Sequence, residues 1–221
     1  LSREIFNETP ADSNRVSSKS EENVPFIVYY HNKYILSQIK SGMLIIDSVR
    51  AQERITYDKA IKQFEAGTGF SQQLLFPEKI EFTETEAEIV DWLNPKLGLL
   101  GFDLRKNSRR SYELCGVAPE VRNGFEVRVL MNIISEMRDF QNQTSDVSEQ
   151  LVKVFSEQAV IKHERLSENE MREIIDQLFA TSNPYFTPGG MPVILKMQLS
   201  EMDEKFAVQD NSMSEFKIEN Y

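Results

Sequence analysis

Residues 34–47, YILSQIKSGMLIID, contain the pattern that decides the fold. Two runs rich in apolar and β-branched residues are separated by residues 41–42, Ser-Gly, a pair typical of a tight turn. An earlier run, residues 24–30, has a similar composition, and residues 31–33 can form the turn after it. The three runs therefore predict an antiparallel three-stranded meander that ends at Asp47.

The helices are predicted from their end signals. Asp47 precedes a helical pattern, where its carboxylate can accept hydrogen bonds from free backbone N–H groups, and that helix is predicted to end at Gly67. Two capping boxes, Thr83–Glu86 and Ser167–Glu170, begin further helices. Additional strand patterns are found at 79–82, 112–117 and 193–199. This mixture predicts an α+β fold with two lobes.

The composition excludes several classes of function. The 221 residues have a formal net charge of −10, which argues against broad binding to DNA or anionic membranes. The longest apolar run, Met43–Ile46, is far shorter than the ~20 residues that span a bilayer. A single cysteine, Cys115, excludes an intramolecular disulfide and fits a reducing, cytoplasmic location. Two histidines, His31 and His163, leave little for a histidine-rich metal site.

Two charged clusters each have a structural and a functional interpretation. Asp47, Glu53 and Asp58 lie around the start of a helix and could bind a divalent cation. The sequence favours an N-cap with solvent-facing helix charges instead. The basic cluster Arg105–Arg110 could contact phosphate, but a solvated hairpin loop is the favoured interpretation.

Residues 72–77, QQLLFP, have two interpretations that the residues alone leave open. In the first, the glutamine amides form hydrogen bonds while Leu75 and Pro77 fill a hydrophobic pocket on a partner. In the second, Leu74 and Phe76 enter the core, and Pro77 ends the segment.

Taken in order, these segments resemble the C-terminal domain of the MutL family of DNA mismatch-repair proteins. The resemblance covers roughly residues 24–206 and is weakest in the middle. It is carried by segments 34–36, 44–47, 52–57, 72–77, 166–171 and 182–185 and by the Pro-Gly-Gly turn at 188–190.

The resemblance implies a specific division of the chain. Residues 24–77 and 146–206 would form an internal lobe that makes the homodimer, and residues 78–145 an external lobe inserted between them. Residues 1–23 would be a linker to a separate N-terminal ATPase, and residues 207–221 a polar tail. The sequence does not choose the dimer face, whose candidate residues are Phe26, Val28, Ile35, Ile39, Ile194 and Met197.

Many family members nick DNA at a metal site whose first part reads D-Q-H-A-x-x-E-x-x-x-x-E. Asp47 and Glu53 match it, Val49 stands at the histidine position, and Asp58 stands at the second glutamate. Glu157 stands at a later cysteine position, and residues 187–192, TPGGMP, replace C-P-H-G-R-P. Zinc prefers imidazole and thiolate donors, which these replacements lack.

The resemblance therefore implies no catalytic residue, metal ligand or cofactor in this domain. The alternative is a metal-dependent DNA-nicking endonuclease in which Asp47, Glu53 and Glu157 converge on magnesium or manganese.

The expected partners also follow from the resemblance. The family binds the replication sliding clamp through a Q-x-x-L-x-P motif, with Leu or Ile at the fourth position. Gln72, Leu75 and Pro77 match its three fixed positions. We therefore expect a homodimer that also docks the sliding clamp, and contacts with the mismatch-recognition protein MutS and with DNA through the full-length protein.

Overall fold

A computed structural model describes residues 26–141, 147–160 and 165–207 of the chain. The predicted linker and all but the first residue of the predicted tail lie outside these residues. The fold is α+β, as predicted. Its strands are β1 (Ile27–Tyr30), β2 (Tyr34–Ile39), β3 (Gly42–Asp47), β4 (Gln72–Glu81), β5 (Asp103–Lys106), β6 (Ser111–Val117) and β7 (Ile194–Gln198). Its helices are α1 (Ser48–Ala66), α2 (Glu84–Leu99), α3 (Glu126–Met137), α4 (Ser148–Ala159), α5 (Glu168–Phe179) and α6 (Leu199–Ala207), with a 3₁₀ turn at Arg138–Phe140.

The first sheet has the strand order β1-β2-β3-β7 and is antiparallel throughout. The predicted meander is therefore confirmed, and the late strand β7 extends it beside β3. One face of this sheet packs against α1 and α5. The buried residues of this core are Ile35, Ile46, Ala51, Ile55, Met171, Leu178 and Val193.

The second sheet has the order β4-β6-β5. Its core also includes α2, α3 and α4, and it contains the fully buried Tyr112 of β6 and Leu93 of α2. Leu151 and Phe155 of α4 are buried in this core, as is Ala60 of α1. Helices that precede and follow residues 78–145 in the sequence thus contribute to the core around the second sheet.

The predicted helix ends are confirmed. The Asp47 carboxylate accepts hydrogen bonds from the backbone N–H groups of Val49 and Arg50 at 3.1 and 3.2 Å. Gly67 closes α1 in the left-handed region at φ 66°, which glycine adopts without a steric cost. Both predicted capping boxes are present at the starts of α2 and α5.

Three elements differ from the prediction. Strand β5 (Asp103–Lys106) was not predicted as a strand. The predicted strand at 79–82 begins earlier, at Gln72, because Gln72 and Gln73 pair with Val117 and Gly116 of β6. The predicted strand at 193–199 is followed by α6, which the sequence analysis did not predict. Among the described residues, none of the helices has the length and apolarity that crossing a bilayer requires.

Candidate functional sites

A cleft of about 680 Å³ lies where α1, α3 and α4 meet. Val49 and Glu53, one helical turn apart on α1, line one side, and Glu157 near the end of α4 lines another. Phe125, just before α3, and Arg128 also line it, with the Arg128 guanidinium 4.1 Å from the centre of the Phe125 ring. The packing of these helices therefore brings Glu53 and Glu157 to one place.

Glu53 has an unusual protonation equilibrium in this cleft. Burial, reinforced by the negative charge of Glu157, raises the pKa of Glu53 from 4.5 to about 7. The Thr187 hydroxyl donates a hydrogen bond to Glu53, and the positive charges of Arg50 and Lys153 attract its carboxylate. These three interactions favour the charged form and so oppose the rise of the Glu53 pKa. Near neutral pH, Glu53 therefore exchanges between its neutral and its charged form.

This equilibrium predicts that stability depends on pH through Glu53. A group whose pKa is raised by folding stabilises the protein below its unfolded pKa, and this contribution is lost as pH rises through the folded pKa. The free energy of unfolding should thus fall between about pH 4.5 and pH 7. Replacing Glu53 by Gln should remove that slope and add roughly 1–2 kcal/mol at pH 8, a figure reduced for partial exposure.

Urea unfolding measured from pH 5 to pH 8 checks this prediction. Glu157→Gln is the matched variant, since it removes the repelling charge but leaves Glu53 buried, so the slope should shrink without vanishing. An unchanged slope in Glu53→Gln would contradict the assignment.

The other two carboxylates of the α1 region lie in different surroundings. Asp47 caps α1, and its carboxylate lies 3.7 Å from Arg50 Nε and 4.0 Å from Lys33 Nζ. Asp58 forms an ion pair with Arg54. Within the part of the chain that the structure describes, no group of three or more Asp, Glu, His or Cys side chains is arranged to hold a metal ion.

A zinc site does not fit the residues that the structure describes around this cleft. The oxygen donors of the cleft are the Glu53 and Glu157 carboxylates and the Asn132 and Gln158 amides, with the buried Thr187 hydroxyl beside Glu53, while Val49 offers none. Zinc sites in proteins are built mainly from imidazole and thiolate ligands. Glu53 keeps its proton to a higher pH than a free carboxyl group, and the described groups of the cleft include neither an imidazole nor a thiolate.

Asp58 and Arg54 instead form a buried anchor between α1 and the segment after α5. Their side chains are 8% and 9% exposed. The Ser182 backbone N–H donates to Asp58 Oδ2 at 2.7 Å, and Arg54 Nη2 donates to the Ser182 hydroxyl at 2.5 Å. Since both charges are paired and hydrogen-bonded, this cluster positions the chain that leads to Thr187.

Within the segment 72–77, residues 74–77 form a protrusion from β4. Gln73 pairs with Gly116 and Glu78 with Leu114, so residues 74–77 lie opposite a single residue of β6. Leu75 is 92% exposed and Phe76 is 84% exposed, whereas Leu74 packs against the core. Leu74 thus packs on the core, as the second interpretation of this segment predicted, whereas Phe76 does not enter the core.

Gly116 allows the backbone to run close to this protrusion. A Cβ at this position would lie 2.3 Å from the Ser71 hydroxyl oxygen and 2.9 Å from Gln73 Nε2. A larger residue would therefore require the Ser71 and Gln73 side chains to turn away, while the Gln72 carbonyl oxygen, at 3.1 Å, would have to shift only slightly.

The basic cluster Arg105–Arg110 is largely neutralised by neighbouring carboxylates. Arg105 pairs with Asp103 at 2.8 Å, Lys106 pairs with Asp91, and Arg109 pairs with Glu84. This pairing favours the solvated hairpin that the sequence analysis preferred over a phosphate-binding patch.

The outward face of the first sheet carries a row of apolar side chains. The register aligns Val28 with Leu36, Leu36 with Ile45, and Ile45 with Leu195 across all four strands. The first three are half-buried, and Leu195 is 60% exposed. We call these four residues the outer row.

The candidate residues for a dimer face divide between the two faces of the sheet. Ile35 is fully buried in the core, and Ile194 packs against that core. Val28 is in the outer row, and alternation places Met197 on the same outward face. Ile35 was predicted as a candidate for the dimer face, but that prediction is wrong, because its side chain is buried in the core.

Several residues of the cleft carry no signal in the sequence. Phe125, Arg128 and Asn132 line it from α3, and no local motif marks them. Thr187 stands where the family motif C-P-H-G-R-P has its cysteine, but the hydrogen bond from Thr187 to Glu53 depends on the packing of distant segments.

Comparison with known proteins identifies the family. The family model of the MutL C-terminal dimerisation domain matches residues 27–166. The DNA mismatch repair protein MutL of Chlorobium luteolum is 40% identical over 208 residues, which is 93% of this chain and 33% of that protein. The MutL protein of Prosthecochloris aestuarii is 42% identical over 180 residues, or 80% of this chain and 29% of its own length. The chain spans about a third of the length of these curated relatives. It belongs to the MutL C-terminal dimerisation domain family.

Proposed function

We propose that this domain holds two copies of a DNA mismatch-repair protein together through the outer row of the first sheet. The observation that carries the proposal is the alignment of Val28, Leu36, Ile45 and Leu195 on one sheet face. Permanent homodimer interfaces are apolar and bury roughly 2,000 Å² or more. A four-stranded sheet with an apolar outward face is suited to a contact of this kind, and family membership supports it.

The benefit of such a dimer is a higher effective concentration of the regions attached to it. Linking two modules brings them together at up to about millimolar effective concentration, and less for long linkers. The proposed role is to make association of two N-terminal ATPase regions intramolecular, in a cytoplasmic protein that meets MutS and DNA through its full length.

Sedimentation equilibrium tests the dimer. At micromolar concentration the chain should have twice its mass of 25.6 kDa. A single-subunit mass in that range would contradict the proposal.

We further propose that the segment 72–77 docks on the sliding clamp. Gln72, Leu75 and Pro77 occupy the fixed positions of the family motif, and all three are exposed. A short extended segment with apolar side chains free of the core can fill a pocket on a partner at little cost in rearrangement. The exposure of Leu75 and Phe76 supports this proposal.

Replacing Gln72 and Leu75 by Ala should weaken clamp binding by about 100-fold or more, since both anchors are lost. Fluorescence polarisation with labelled clamp measures the affinity, and sedimentation verifies that the dimer is retained. Gln73→Ala is the matched control, because it removes the same amide at a position outside the motif. Binding that survives the double substitution would show that the segment is only a structural protrusion.

We propose that the domain has no nuclease activity, metal site or cofactor of its own. The donor set around Glu53 supports this, because none of the described residues that line the cleft offers an imidazole or a thiolate. Nicking of supercoiled plasmid in the presence of manganese separates this proposal from the endonuclease alternative. Nicking by the unaltered chain that Glu53→Gln abolishes would favour the alternative.

A further inference from the structure

Helix α6 has an apolar side that this protomer leaves largely uncovered, with Met202 half-buried and the residues at both ends exposed. Leu199, Met202 and Phe206 recur at the spacing of one helix face. Leu199 is 56% exposed and Phe206 is 84% exposed, and the helix has no buried residue. A nine-residue helix is too short to be stable in water without packing. The apolar side therefore requires a surface to cover it.

The start of α6 is fixed to the first sheet. The Leu199 backbone N–H donates to the Ser41 carbonyl at 3.0 Å, which continues the ladder between β7 and β3. At Gly42 a Cβ would lie 2.1 Å from the Met197 carbonyl oxygen, and φ is 146°, so only glycine fits this close approach. The direction in which the chain leaves β7 is thus set by backbone contacts.

The apolar side of α6 continues the outward face of the sheet. Side chains alternate along a strand, so Leu195 and Met197 point outward, and Leu199 is next on the same side. From Leu199 the apolar residues run on along the helix to Phe206. The outward face of β7 and the apolar side of α6 are therefore joined at Leu199, whose backbone bond to Ser41 continues the strand ladder.

The opposite side of α6 is polar and needs no partner. Glu201, Glu204 and Lys205 are exposed there, and Glu201 Oε2 accepts a hydrogen bond from the Gln198 backbone N–H at 2.9 Å. The helix thus has one side for solvent and one side for protein.

We infer that α6 packs Leu199, Met202 and Phe206 against a second copy of this chain, as an extension of the contact made by the outer row. This inference rests on the proposed dimer face. This junction favours a second copy as the occupant, because the surface that would cover Leu195 in a dimer lies beside Leu199. Residues 208–221 are the alternative occupant.

The test is the dissociation constant of the dimer, measured by sedimentation equilibrium on the full chain. Phe206→Ser should weaken the dimer at least tenfold, since an aromatic anchor would be lost from both copies. Lys205→Ser, on the polar side of the same helix, is the matched control and should stay within twofold of the unaltered chain. Far-UV circular dichroism verifies that both variants fold.

Two further measurements separate the possible occupants. Mixed dimers of one isotope-labelled and one unlabelled protomer should give NOEs from the Phe206 ring to the other copy, and their absence would overturn the inference. In a chain ending at Ala207, Phe206→Ser should weaken the dimer as much as it does in the full chain. If truncation removes the effect, residues 208–221 cover the helix, and the inference is wrong.

The proposed dimer face and the inferred role of α6 can be tested separately. If Leu195→Asp gives monomers while Phe206→Ser leaves affinity within twofold, the dimer face holds and the inference about α6 is overturned. If Leu195→Asp leaves the dimer intact, the proposed face itself is wrong, and the inference that extends it falls as well.

Discussion

Replacing Leu195 by Asp should convert the dimer into monomers at micromolar concentration. Leu195 is 60% exposed in the protomer, so an aspartate there remains solvated while the protein is monomeric. In the dimer, two carboxylates, one from each copy, would lose their hydration without a partner. At about 2 kcal/mol or more for each, the dissociation constant should rise by about 10³ or more.

Lys196→Asp is the matched control for this substitution. It introduces the same carboxylate in the same edge strand, but alternation directs residue 196 away from the outer row. Sedimentation should give a dimer for this variant and a monomer for Leu195→Asp. A Leu195→Asp chain that still sediments as a dimer would place the interface elsewhere.

Removing the Asp58 carboxylate by an Ala substitution should cost roughly 3–5 kcal/mol of unfolding free energy. The loss leaves the Arg54 guanidinium buried without its counter-ion and removes the acceptor of the Ser182 backbone N–H. Urea unfolding at one fixed protein concentration measures the effect, since dimerisation makes stability depend on concentration.

The pair Glu168–Arg172 provides the control for the buried anchor. It has the same i, i+4 spacing and a 2.7 Å contact, but Glu168 is 62% exposed. Glu168→Ala should therefore cost less than about 1 kcal/mol. Equal losses in Asp58→Ala and Glu168→Ala would show that burial of the Arg54–Asp58 pair contributes little.

Features that depend on neighbouring residues were predictable from the sequence. The cap at Asp47 and the box at Thr83–Glu86 each involve residues within three positions of one another, and both are present. The meander follows from short turns between runs of β-forming residues, and its three strands pair antiparallel as expected.

Features that depend on distant segments were not predictable in the same way. The pairing of Asp58 with Ser182 joins residues 124 positions apart, so no local pattern contains it. The burial of Ile35 depends on which sheet face receives α1 and α5, a choice that alternation alone does not make. The convergence of Glu53 and Glu157 likewise requires α1 to pack on α4, which only the assembled core determines.

The irregularity in β4 has a consequence for the behaviour of the protein at high concentration. An exposed edge strand with a regular ladder can pair with the edge of another molecule and begin aggregation. The residues 74–77 interrupt the ladder of this edge strand, because they lie opposite a single residue of β6. A strand of another molecule that approached β4 could not form a continuous set of backbone hydrogen bonds across residues 74–77. The same protrusion that exposes Leu75 thus guards this edge against uncontrolled self-association.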